Sequence, residues 1–157
     1  MLSFLKRLLP IGRSRPAAER QDPLFGRMWF WASDVNGRSY WEAEPTVDGR
    51  RIGVTFHAGP EGPSPEHAAF LRWAAAEPDA LYALARPLLE PEFERWVRRP
   101  FPAAWREAFV LAGLDIPHSG RTENPWSVSY DCLLDRSGHQ FTVEFEGGRP
   151  ASVSVDG

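Results

Sequence analysis

The residues of this 157-residue chain equipped for chemistry are four histidines, one cysteine and a set of strand-alternate carboxylates. His57, His67, His118 and His139 read onto a strand, a helix, a post-helix loop and a turn, and no two stand at a spacing suited to a metal. Cys132 falls in phase with apolar strand residues, where a thiol behaves as a small hydrophobe rather than a nucleophile. No G-x-S-x-G elbow, phosphate-cradling glycine loop or G-x-G-x-x-G turn occurs. Gly53, Gly59 and Gly62 lack that spacing, and the prolines beside the last two fit a plain loop. The expectation is a protein that is not an enzyme and needs no cofactor or metal.

The carboxylates form a pattern instead. Glu42, Glu44, Asp131, Glu144, Glu146 and Asp156 recur at alternate strand positions among small serines and threonines, which places them on the solvent side of a sheet. Outward polar residues keep a strand soluble, and six acids on one face also make a docking surface for a basic partner. Trp29 and Trp31 share a face opposite Met28 and Phe30; the tryptophans read as core, and exposed they would be an interface anchor.

Charge sharpens the partner class. Residues 1–22 carry Lys6, Arg7, Arg13, Arg15 and Arg20 against Glu19 and Asp22, leaving 13 basic and 19 acidic residues in 23–157. An acidic body does not suit a phosphate backbone, so nucleic acid is not an expected partner. A lone cysteine excludes an internal disulfide and makes the cytoplasm the expected compartment.

The elements that must position these residues follow from periodicity. Leu2, Phe4, Leu5, Leu8 and Leu9 opposite Lys6 and Arg7 read as a short amphipathic helix ending at Pro10. It is a poor signal peptide, because its basic residues interrupt the apolar stretch, and it could meet an anionic membrane surface. Residues 11–22 read as a linker. Aromatic-rich runs at 26–32, 39–47 and 51–57, separated by turn signals at 34–37 and 48–49, read as a three-strand antiparallel meander. Ser64-Pro65-Glu66 opens a helix, Glu77-Pro78-Asp79 restarts a second that Pro87 and Pro91 should kink or divide, and Pro102 opens a third stopping at Gly113. Runs beginning at Trp126, Phe141 and Val153 form a second three-strand meander.

The expected fold is therefore α+β, with two antiparallel three-strand meanders flanking a helical middle in β3-α3-β3 order. The helices should cover one sheet face. A tail and linker at 1–22 precede a single domain at 23–157, and whether the meanders join edge to edge stays open. Thirteen percent aromatic residues supply the core, with Trp126 and Phe145 as anchors.

The Asp22-Pro-Leu-Phe-Gly26 lead-in, the helical middle and the closing run from Phe141 to Gly157 resemble a group of bacterial domains of unknown function. Some relatives of that group are similar to immunity proteins encoded beside secreted toxins. The resemblance spans residues 22–157, implies a cytoplasmic single domain that works by binding a protein such as a basic toxin domain, and transfers no catalytic residue.

Two other readings stay open. One is a small enzyme or ligand-binding domain with a pocket between helices and sheet, using His57 or His118. The other is a regulatory domain tethered to a membrane surface by residues 1–10. Oligomeric state is not legible.

Overall fold

A computed structural model of the chain describes residues 15–33 and 37–157. The amphipathic segment at 1–10, residues 11–14 and most of the turn at 34–37 lie outside the described residues.

The chain runs through β1 (Ala18–Asp22), β2 (Gly26–Trp31), β3 (Tyr40–Glu44), a two-residue hairpin of β4 (Thr46–Val47) and β5 (Arg50–Arg51), and β6 (Gly53–Phe56). Two helices follow, α1 (Pro65–Ala76) and α2 (Pro78–Val97). A 3₁₀ turn at Trp105–Glu107 then leads to β7 (Phe109–Ile116), β8 (Trp126–Cys132), β9 (Gln140–Glu146) and β10 (Arg149–Asp156). Eight strands make one sheet in the order β1-β2-β3-β6-β7-β8-β9-β10. Every pairing in it is antiparallel except β6 with β7, where the helical crossover forces the strands parallel. The α+β class holds, and the two halves do join edge to edge.

Several expectations need correction. Each half contributes four strands to the sheet, not three, and two helices occupy the middle, not three. Residues 18–22, read as linker, form the edge strand β1, whose Ala-Glu-Arg-Gln-Asp sequence shows no apolar alternation because little of an edge strand is buried. Residues 109–113, read as the end of a third helix, instead begin β7, which runs on to Ile116. It lies between β6 and β8 in the middle of the sheet, and such interior strands read as near-continuous apolar runs that periodicity cannot tell from helix. Pro45 divides the second expected strand from its hairpin; lacking an N–H, it serves instead as acceptor for the Ile52 amide at 3.1 Å.

Pro87 and Pro91 do not break α2, which continues for 20 residues. Four apart, both prolines sit on the exposed side, so the carbonyls they leave without partners face water. The helix stops where Arg98 adopts a left-handed conformation. The first helix starts on a capping box in which Ser64 Oγ accepts the His67 amide at 3.2 Å and His67 Nδ1 accepts the Ser64 amide at 3.1 Å.

Both helices pack on one face of the sheet. Phe70 of α1 meets Trp126 edge-on at 5.2 Å between centroids, and Trp126 stacks on Phe145 at 3.9 Å. Tyr82 of α2 stacks on Trp105 at 4.7 Å, and Phe93 packs on Phe109. Met28 and Phe30 point into this core while Trp29 and Trp31 take the other face, the reverse of the expected phase. Among the described residues no helix is long and apolar enough to cross a membrane.

Candidate functional site

Strand registers place the second face in order. Trp29 on β2 lies opposite Glu42 on β3, Glu42 opposite Thr55 on β6, and Thr55 opposite Asp115 on β7. Asp115 in turn lies opposite Ser127 on β8, Ser127 opposite Glu144 on β9, and Glu144 opposite Ser152 on β10. One row of side chains thus crosses the sheet, carrying three carboxylates spaced by hydroxyls. A neighbouring row runs Gly53, Gly113, Ser129, Thr142 and Ser154. Its members are small, so the centre of the face is low beside the taller carboxylates.

This face is polar without being fully wet. Glu42 keeps only 4% of its surface, Ser129 none, and Thr55, Gln140 and Thr142 are buried as well. Polar groups withdrawn from water need partners. Thr55 Oγ1 donates to Asp115 Oδ1 at 2.7 Å, and Ser129 and Thr142 share a hydroxyl hydrogen bond of 2.8 Å. Gln140 donates to Asp131 at 3.0 Å, and Ser152 to Glu144 at 3.3 Å. Tyr40 OH lies 3.5 Å from Glu42 Oε1, and Tyr40 also stacks against Trp31 and meets the edge of His57.

Asp115 is the electrostatic centre. Burial pushes its carboxyl above the usual carboxylate range, the hydroxyl of Thr55 and the nearby His57 pull it back, and the negative Glu144 adds to the rise. A half-buried carboxylic acid beside further carboxylates is a site that cations and hydrogen-bond donors would stabilise and anions would not.

The acids expected on this face divide into groups. Glu42 and Glu144 share the row with Asp115. Asp131 and Asp156 lie on either side of Gln140, displaced along the strands from that row. Glu44 sits at the margin, 3.9 Å from Arg51, beside a cleft of about 740 Å³ also lined by Asp22 and Arg27. Glu146 ends β9 and is exposed. Asp115 and Thr55 were not among the candidates. Ending the expected helix at Gly113 left Leu114, Asp115 and Ile116 too short a run to show a strand period, so Asp115 had no face to be assigned to.

No family model, curated protein or solved structure matches this chain. The site therefore stands on its own geometry. Of the other histidines, His67 is a structural cap whose Nε2 donates to the His118 carbonyl at 2.8 Å, and burial holds its pKa below the usual value. His139 pairs with Asp135 in the β8–β9 turn. Among the described residues no cluster of three or more His, Cys, Asp or Glu could hold a metal. Cys132 is buried in the core, and burial pushes its thiol up.

Proposed function

We propose that this is a non-enzymatic binding domain whose polar sheet face receives a cationic segment of a partner protein, with neutralisation of a toxin as its setting. The observation that carries the reading is the transverse row placing Glu42, Asp115 and Glu144 among hydroxyls, with no basic side chain between them. With Glu42 closed off, the exposed Glu144 and the partly exposed Asp115 are the acceptors such a row offers to arginine and lysine, and the row disfavours anionic partners. A cation seated beside Asp115 would favour its ionised form, so binding would release a proton and tighten as pH rises through the titration of that carboxyl.

Coexpression with the product of the neighbouring gene, followed by pull-down, tests the setting. Capture is expected, and the double reversal Glu144→Lys, Glu146→Lys should weaken the complex about tenfold or more. Unchanged affinity would remove the polar face from the account. No capture, together with equal fitness of a deletion strain beside its siblings, would remove the immunity role.

His57 and Asp115 on one face favour a second reading, a site for a small cationic ligand handled by acid–base groups. Its location differs from the expected helix–sheet pocket, for which a cleft of about 410 Å³ lined by Ala76, Pro78, Trp105 and Phe109 is the corresponding space. Binding of a small amine that is lost in Asp115→Asn, with no protein captured, would select it.

A further inference from the structure

We infer that the cleft beside the α1–α2 junction is a second binding site, one that takes a monocarboxylate with a compact apolar body. It lies on the helix side of the sheet, away from the acidic row, and prefers the opposite charge.

The space arises from local features of the chain. Asp48 at φ +50° and Gly49 at φ +72° close the β4–β5 hairpin, in which Val47 pairs with Arg50, and this hairpin forms one wall. Across from it α1 ends in the small, exposed Ala75 and Ala76, and Pro78 restarts the chain as α2. The cleft that remains measures about 410 Å³. Small-molecule sites commonly span about 300–1,000 Å³ and combine an apolar lining with a few placed polar groups.

This lining has that composition. Trp105, Val110, Leu111 and Leu133 supply the apolar part. Leu133 is 52% exposed, more than any other large apolar side chain among the described residues. A ligand seated here removes from water a surface that the fold leaves wet.

The polar groups are two arginines and an aspartate, Arg50, Arg106 and Asp48. Arg50 is exposed, and no ion pair holds it among the described residues. Arg106 is fixed in place: its guanidinium lies 4.4 Å over the Trp105 ring and donates to Asp79, which also accepts the Trp105 indole N–H at 2.7 Å. That bond to Asp79 uses one of five N–H groups, and a planar fork already held in position loses little freedom on meeting a carboxylate. Asp79 is committed to two donors whereas Arg50 is uncommitted, so the balance favours an anion over a cation. With Asp48 and Asp79 close by, a single negative charge suits the cleft better than two.

Titration of the full chain with decanoate, below its micelle-forming concentration, tests the site. One molecule should bind per chain and shift the amide signals of Ala76, Leu111 and Leu133, while those of Thr55 and Glu144 on the polar face stay in place. Arg50→Gln changes an exposed side chain and should weaken decanoate about fivefold or more. Leu133→Asp should weaken it at least as much, and decan-1-ol and decylammonium should bind more weakly than decanoate by a similar factor. Equal affinity for the alcohol or the amine, or indifference to Arg50→Gln, would overturn the proposal. Shifts centred elsewhere in the molecule, or no binding at millimolar decanoate, would overturn it too. Because the cleft and the acidic row lie on opposite sides of the sheet, these outcomes leave the reading of the polar face to its own test.

Discussion

Two adjacent rows of the sheet differ by one residue along each strand and by almost everything else. Met28, Ala43, Val54, Leu114, Val128 and Val143 line up under the helices. One position away, Trp29, Glu42, Thr55, Asp115, Ser127 and Glu144 line up on the other side. The apolar row is stabilised by area removed from water, a non-directional effect that grows with every ring and methyl group. The polar row is held by individual hydrogen bonds, each of modest net worth. Stability should therefore concentrate on one face and selectivity on the other.

The largest expected effect tests the apolar side. Trp126→Ala removes a ring sandwiched by Phe70 and Phe145 and should cost about 3–5 kcal/mol, read as a fall in the denaturant midpoint. An unmoved midpoint would contradict the packing of this face.

Next comes the edge where the two faces share a turn. Gly26 has φ +70°, and a Cβ there would stand 2.5 Å from the Glu44 carbonyl oxygen. Gly26→Ala should cost at least about 1–2 kcal/mol from the left-handed conformation alone, with the backbone clash adding to it. Tolerance of alanine would mean that β2 and β3 separate more readily than their register implies.

Two titrations sharpen the contrast. His67, buried and neutral in the cap, has its pKa held below 6.5 mainly by desolvation. The unfolded chain then binds the extra proton first, so stability is lost as pH falls below about 6.5. Chemical denaturation across the acid range should show that loss, and His67→Gln, a natural capping-box residue, should reduce it. Asp115 acts with the opposite sign. Its folded pKa is raised above 3.8, so the folded chain keeps a proton that the unfolded chain releases. Stability accordingly declines as pH rises through that window. Asp115→Asn, which can still accept from Thr55, should flatten this part of the profile; an unchanged slope would show that Asp115 titrates as if in water.

The smallest effect is expected from Glu144→Lys with Glu146→Lys. Both side chains are exposed, and folding stability should move by no more than about 0.5 kcal/mol while binding suffers. A large stability loss would make these acids structural and blur the division of labour between faces.

Much of this division was legible beforehand. Alternation at 126–132 and 141–145 assigned Trp126, Val128, Tyr130, Phe141, Val143 and Phe145 correctly to the core, and placed Asp131 and Glu144 outside. In β2 the alternation was visible but its phase was not, since Met28, Trp29, Phe30 and Trp31 are all apolar. Hydrophobicity cannot choose a side when both sides qualify. β1 was missed for the converse reason, having too few apolar residues to show a period.

Periodicity is a property of the local chain: successive side chains of a strand point to opposite faces whatever the strand pairs with. The sequence by itself therefore determined that strand-rich ends surround a helical middle, and which face of most strands carries acid. Neighbours across the sheet are a property of the folded whole. Thr55 and Asp115 are 60 positions apart, and only the helical crossover and the parallel pairing of β6 with β7 bring hydroxyl to carboxylate. That meeting withdraws Asp115 from water and makes a loose scatter of acids into one row.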